Sequence, residues 1–214
     1  PEPETIALTD LSSKLFEGLL RGLEIKFPRG LLKFQDDMIT TILSGNNTVI
    51  SAPTGSGKTE AFIIPIIQKI HEEAYPYGVF AILVYPLKAL ARDQTRKINE
   101  LIRACGLEGK IEVIPILGGI TATDVNSRKE LIKRKCVIVA TNFDFINFHL
   151  TLQADKWRTF VEPAKVIIMD ELHSYTSFHG SNVYHIVKRM KKYMKDVHFI
   201  GSSATLANAQ EFFE

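Results

Sequence analysis

Ser51-Ala52-Pro53-Thr54-Gly55-Ser56-Gly57-Lys58-Thr59 lies between the β-branched run Asn47–Ser51 and the helical pattern Glu60–Lys69. Strand, glycine-rich turn and amphipathic helix form the context in which a GK[ST] sequence reads as a phosphate-binding loop. Gly55 and Gly57 permit backbone torsions and close approach that a Cβ forbids, so successive N–H groups can point into one anion-sized hollow. The helix that starts near Lys58 adds its unpaired N–H groups and the positive end of its dipole. Lys58 is then placed to reach the β- and γ-phosphates, and the Thr59 hydroxyl to ligate Mg²⁺. Ala52 stands where the strict GxxxxGK[ST] pattern has its first glycine.

The rest of the chain limits what this loop can belong to. With 214 residues, 45% of them hydrophobic and 23% charged, the chain can bury a proper core as one compact domain. A net charge of +2 permits a nucleic-acid partner without demanding one. Cys105 and Cys136 are far apart and form no CxxC, which argues against a disulfide framework and a cysteine zinc site. No apolar run has the length of a membrane span, and no signal peptide is visible, so no membrane partner is expected. The expected setting is intracellular, cytoplasmic or nucleoid-associated. The start at Pro1 and the helical pattern running into Glu214 suggest a fragment.

Residues 1–33 read as a leading helical segment, with apolar spacing predicting one helix from Leu11 to Leu23. A break at Lys26–Gly30 precedes a short helix from about Lys33 to Leu43. Thereafter strands alternate with helices: 79–85 then 87–104, 111–117 then 124–135, 136–140 then 143–152, 164–170 then 180–194, and finally 197–202. This alternation predicts an α/β fold, a mostly parallel sheet with helices on both faces. Two basic runs stand out. One joins Arg128, Lys129, Lys133, Arg134 and Lys135; the other joins Lys188, Arg189, Lys191, Lys192 and Lys195. Either could meet phosphates, although solvated helix faces are the commoner explanation.

A second chemical motif lies at Lys165-Val-Ile-Ile-Met-Asp170-Glu171-Leu172-His173. A hydrophobic strand ending in paired carboxylates fits the rule that open α/β sheets do their chemistry at the strand carboxyl ends. Asp170 is suited to hold Mg²⁺, usually through water, and Glu171 to activate the attacking water.

Taken together, these motifs resemble the first RecA-like, ATP-binding domain of superfamily-two DExH-box helicases. Residues 52–59 resemble that family's motif I, Asp170–His173 its motif II, and Ser203-Ala204-Thr205 its motif III. Residues 85–94 resemble motif Ia, Gly118-Gly119 the following glycine pair, and Ala140-Thr141-Asn142 motif Ib, with Phe143 where relatives usually carry proline. The wording is most similar to DNA-directed helicases of the Lhr-like and YprA-like type. RNA-directed Ski-like relatives and CRISPR-associated helicases share parts of it.

The resemblance implies ATP and Mg²⁺ as cofactors and nucleic acid, DNA rather than RNA, as partner. It implies ATP contacts from Gln35, Thr54, Gly55, Ser56, Gly57, Lys58 and Thr59, with Gln35 reading adenine. Glu171, Lys58 and Asp170 would carry catalysis, and Thr59 and Asp170 the Mg²⁺. His173, Ser203 and Thr205 would couple hydrolysis to movement. Pro86, Lys88, Gln94, Gly118, Gly119, Thr141 and Asn142 would line the nucleic-acid backbone. A second RecA-like domain of the same protein would complete the site, so residues 1–214 alone are expected to bind nucleotide weakly and turn it over slowly. A non-catalytic RecA-like binding module is the rival class, and the retained Lys58, Asp170 and Glu171 argue against it.

Overall fold

The computed structural model describes residues 4–53, 55–118, 127, 130–152, 162–175, 178–194 and 196–204. Its centre is a six-stranded sheet formed by β3 (Thr48–Ser51), β4 (Gly78–Tyr85), β5 (Ile111–Pro115), β6 (Cys136–Asn142), β7 (Val166–Met169) and β8 (His198–Ser203). Their spatial order is β3-β8-β7-β4-β6-β5, and every pairing is parallel. Parallel neighbours need crossover connections, which the helices supply.

Strand β4 shows how the sheet sorts its side chains. Leu83 and Tyr85 face one core cluster while Ile82 and Val84 face the other, as a period of two requires. A register shift between Val79 and Ala81 leaves Phe80 unpaired with β6, so Phe80 and Ala81 both fall on the first face. That first face is covered by α1 (Glu17–Lys26), α2 (Lys33–Leu43), α3 (Lys58–Glu72) and α4 (Lys88–Ala104). The second is covered by α5 (Phe143–Leu152) and α6 (Phe178–Tyr193), through Phe143, Ile146, Ile186, Val187 and Met190. Strands buried on both faces explain why the sequence shows near-continuous apolar runs there.

The leading segment differs from the single helix expected over residues 11–23. Leu8–Leu11 forms a 3₁₀ turn, and α1 begins only at Glu17. Phe16 is extended (φ −69°, ψ 154°), its N–H donates to Gln68 Oε1 at 2.8 Å, and its ring stacks on His71 at 3.9 Å. Contacts with α3 therefore override helical continuity, while Leu11, Leu15, Leu19 and Leu23 still reach the core. A short antiparallel pair, β1 (Thr5–Ile6) with β2 (Leu31–Leu32), was not legible in the sequence. Residues 124–126, 128 and 129 of the expected helix 124–135 lie outside the described residues. No helix among the described residues is long and apolar enough to cross a membrane.

Candidate nucleotide site

Parallel register brings the carboxyl ends of the strands to one edge. Ser51 pairs with Ser203, Met169 with Gly201 and with Val84, and Tyr85 with Asn142. The segments leaving β3 and β7, the start of α3 and one face of α4 enclose a cavity of about 430 Å³ there. Gln35, Gly55, Ser56, Gly57, Lys58, Thr59, Asp170 and Glu171 all line it. Residues separated by more than a hundred positions in the sequence thus share one wall.

Gly57 caps α3 in left-handed backbone (φ 91°), and a Cβ there would meet Gln35 Nε2 at 2.4 Å. The position requires glycine on both counts. Ala52 is not among the residues with positive φ, so the absent first glycine costs no backbone strain. Lys58 is 6% exposed, and its Nζ donates to the carbonyls of Ala52 (2.7 Å) and Pro53 (3.3 Å). Two of its three donors are therefore engaged within the loop, and Nζ lies 3.8 Å from Glu171 Oε1.

Gln35 ties α2 to the loop. Its Oε1 accepts from Leu32 N–H at 2.8 Å and its Nε2 donates to the Gly57 carbonyl at 2.9 Å. One amide hydrogen and one lone pair are left for anything else. Phe27, Gly30, Leu32, Glu60, Leu90, Gln94 and Lys97 complete the lining. Of these seven only Gln94 was among the expected site residues; Phe27 is half-buried, so its ring can offer the cavity an aromatic surface.

Asp170 is 6% exposed, and its Oδ1 accepts hydrogen bonds from the Ser202 hydroxyl and from Glu171 N–H (3.0 Å). Burial raises its pKa above the usual carboxylate value; the Ser202 hydrogen bond opposes that and the Glu171 charge adds to it. Glu171 sits at φ 55°, a left-handed conformation costing a non-glycine residue roughly 1–2 kcal/mol. Its N–H is held by Asp170, which turns the side chain toward Lys58. His173 Nδ1 lies 3.3 Å from Glu171 Oε2 and within 3.4 Å of Ala204 N–H, so it bridges the segments after β7 and β8.

Among the described residues, three buried polar atoms in this wall have no hydrogen-bond partner: Ser56 Oγ, Gln94 Oε1 and Glu171 Oε2. Each unsatisfied group costs about 1–3 kcal/mol. Their convergence on one cavity, with a lysine and two carboxylates, fits a polar anionic occupant accompanied by a cation. Asp170 and Thr59 are the oxygen ligands available to that cation, and oxygen is what Mg²⁺ prefers.

Several expected residues have contacts that the sequence did not show. Gln94, read as a nucleic-acid contact, lines this cavity, because α4 turns that face inward. Thr141 and Asn142, read the same way, are 2% and 3% exposed. The Thr141 hydroxyl donates to the Ile116 carbonyl at 2.7 Å, and Asn142 Oδ1 accepts from Phe145 N–H at 3.3 Å, capping α5. Their side chains are spent on the fold. Ser203 and Thr205 were read as coupling hydroxyls; the neighbouring Ser202, not among the expected site residues, donates to Asp170, since side chains alternate along β8. The only signal for Ser202 was its place one residue before that motif. Pro86 is half-buried, and Lys88 and Gly118 are exposed, with Lys88 Nζ 3.5 Å from the point where a Cβ on Gly118 would sit. Thr54, Gly119 and Thr205 lie outside the described residues.

The DEAD/DEAH box helicase profile matches residues 32–212. The chain belongs to the DEAD/DEAH box helicase family. It is 32% identical over 177 residues, 81% of its length, to the uncharacterized ATP-dependent helicase YprA of Bacillus subtilis, of which it spans 22%. Its fold matches the DUF1998 helicase MrfA bound to DNA and AMPPNP with a TM-score of 0.83 at 27% identity, covering 99% of this chain and 29% of that one. The helicase Lhr of Mycobacterium smegmatis bound to ssDNA and AMP-PNP matches with a TM-score of 0.76 at 27% identity, covering 94% of this chain and 26% of Lhr. This helicase-family chain therefore carries the RecA-like α/β fold and spans between a fifth and a third of these relatives.

Proposed function

We propose that this domain is the first motor domain of an ATP-dependent helicase or translocase acting on nucleic acid, DNA in preference to RNA. The observation that carries the reading is the convergence of Gln35, Gly55 to Thr59, Asp170 and Glu171 on one cavity at the strand carboxyl ends. The DNA-bound states of MrfA and Lhr support the choice of polymer.

In this reading Phe27 and Gln35 flank the adenine, and the N–H groups at the start of α3 together with Lys58 hold the phosphates. Thr59 and Asp170 hold Mg²⁺. ATP supplies the phosphoanhydride whose cleavage drives movement. Glu171 Oε2, buried and without a hydrogen bond among the described residues, accepts the proton of the attacking water. Asp170, held by Ser202, keeps its carboxylate in one orientation, so metal position is tied to β8. His173 links Glu171 to Ala204, a path by which the state of the site reaches the segment after β8. Lys88 and Gly118, exposed at the same edge, meet the nucleic-acid backbone.

A second RecA-like domain of the full protein would supply arginines that stabilise the transferring phosphoryl group, an effect worth about 10³ to 10⁵ in rate. The test is ATP hydrolysis by the full chain titrated with single-stranded DNA and RNA. Stimulation by DNA, and its loss in Glu171→Gln with nucleotide binding retained, is the expected result. Hydrolysis that no oligonucleotide stimulates, or that survives Glu171→Gln, overturns the reading. Equal stimulation by RNA overturns the preference for DNA.

A further inference from the structure

The two basic runs of the sequence have opposite fates. In the first, Lys133 pairs with Glu130 at 2.6 Å and Lys135 with Glu112 at 2.8 Å. In the second, α6 contains no Asp or Glu at all over Phe178–Tyr193. Among the described residues Lys188, Lys191 and Lys192 form no ion pair, and all three are exposed. Other surface cations do find carboxylates: Arg21 meets Glu17, Lys26 meets Glu100, Lys33 meets Asp37, and Arg96 meets both Asp93 and Glu100. A helix dipole favours one or two cations in the last turn, but Lys188 lies before that turn, five residues from the end of α6.

The arrangement is linear. At 100° per residue, Tyr184, Lys188, Lys191 and Lys192 fall within an arc of roughly 100°, opposite the buried Ile186, Val187, Met190 and Met194. Lys188 and Lys192 are one turn apart, about 6 Å along the helix. Tyr184 is 51% exposed, with Lys188 Nζ 5.9 Å from its ring centroid and the His185 ring against its edge. Lys191 differs, since its Nζ lies 5.3 Å from the buried Phe199 ring and covers the core. Cations in line with an exposed aromatic ring are what binds single-stranded nucleic acid without regard to sequence.

We propose that the outward face of α6, with Tyr184, Lys188 and Lys192 at its centre, is a second single-stranded nucleic-acid contact, separate from the motor track at the strand carboxyl ends. It rests on the nucleic-acid reading above only for the choice of polyanion. The run of α6 explains the separation: the helix leaves the site edge after β7 and descends toward the start of β8, so its basic end lies about 20 Å from Asp170 by helix length. A strand held here is held whatever the nucleotide state.

The test measures binding of a 30-nucleotide single strand to the full chain by fluorescence anisotropy, across salt concentrations, with and without a non-hydrolysable ATP analogue. K188E/K192E is expected to weaken binding about tenfold by the same factor in both nucleotide states. The log–log salt slope should fall by roughly 1.4, from two lost phosphate contacts at about 0.7 each. Tyr184→Ala should weaken oligonucleotide binding at least about fivefold and leave heparin binding unchanged, because only a base can stack. K188Q/K192Q, with thermal melting, controls for folding and should give most of the loss. Unchanged affinity and slope in both lysine variants overturns the inference, as does equal loss of heparin and oligonucleotide binding in Tyr184→Ala. A strand that binds through α6 but never stimulates ATP hydrolysis would instead sink the motor reading and leave this one standing.

Discussion

On α4, Arg96 lies 2.9 Å from Asp93 and 2.8 Å from Glu100, and Lys97 lies 2.7 Å from Asp93. The hydrogen bonds from Lys97 and Arg96 hold the Asp93 carboxyl below its ordinary value. On α6, which has no Asp or Glu, Lys188 and Lys192 form no ion pair among the described residues. Surface ion pairs contribute only about 0–1 kcal/mol each, so the difference has little to do with stability. What it changes is the field outside the protein. On the layer of α1 to α4, Asp93 and Glu100 pair part of the outer basic charge, and the cavity with residues 55–59 and Asp170 lies beneath it. The layer of α5 and α6 is apolar within, and the outer face of α6 carries Lys188, Lys191 and Lys192 with no acidic residue on the same helix. Under the two proposals above, the first layer grips a small anion in a cavity and the second attracts a long one along a surface.

Breaking the inner polar layer should give the largest effect. Glu171→Gln removes the proton acceptor and is expected to lower DNA-stimulated turnover by about 10² to 10⁴ while nucleotide binding persists. Steady-state ATPase together with equilibrium binding of a fluorescent nucleotide checks both halves.

The outer contrast is sharpened by pairing two double charge reversals of equal net charge. K188E/K192E should weaken single-strand binding about tenfold, whereas R21E/R103E, on residues paired with Glu17 and Glu108, should change it less than about twofold. Similar losses in the two variants would mean that net charge alone matters, and the comparison between the layers would collapse.

Within the phosphate loop, Gly57→Ala and Gly55→Ala separate crowding from backbone strain. Both sit at positive φ, but only the Gly57 Cβ would meet another atom, Gln35 Nε2. Gly57→Ala is expected to cost about 1–3 kcal/mol and Gly55→Ala about 1 kcal/mol, read from thermal or denaturant unfolding. The reverse order would mean that Gln35 moves freely and does not brace the loop.

The smallest effect concerns the thiols. Burial raises Cys105 to about 11 and Cys136 to about 12, with Glu73 adding to the latter. An unfolded thiol ionises near pH 8.5, so the folded state binds more protons above that pH. Stability is full below about pH 8.5 and falls as pH rises toward 11. Both thiols should also resist an aromatic disulfide reagent until the chain unfolds. A rise in unfolding midpoint between pH 8 and pH 10 would contradict the burial of these groups.

Much of the helicase-domain fold could be read directly. The strands from β3 to β8 appear as apolar runs because both faces of the sheet are covered, and burial on two sides leaves a strong local mark. The phosphate loop and the Asp170–Glu171 pair were legible for a similar reason, since their chemistry needs particular residue types at fixed short spacing. Roles that depend on which way a side chain points were not. Thr141 and Asn142 sit at a strand end that looks accessible in sequence, but their side chains are used by Ile116 and Phe145. Gln94 belongs to the cavity because of the rotation of α4, and Ser202 rather than Ser203 meets Asp170 because adjacent strand residues point to opposite faces.

The sequence by itself determined the order of the sheet strands from β3 to β8, their parallel alternation with helices and the glycine-rich loop before α3, because periodicity and glycine placement are local constraints. Only the tertiary structure decided where α1 begins, since Gln68 and His71 claim Phe16 from across the core. It also decided which lysines of the two basic runs meet a carboxylate. Charge pairing depends on distance in space, and Lys135 finds Glu112 on the neighbouring strand, while Lys188 and Lys192 face outward from a helix that has no carboxylate of its own.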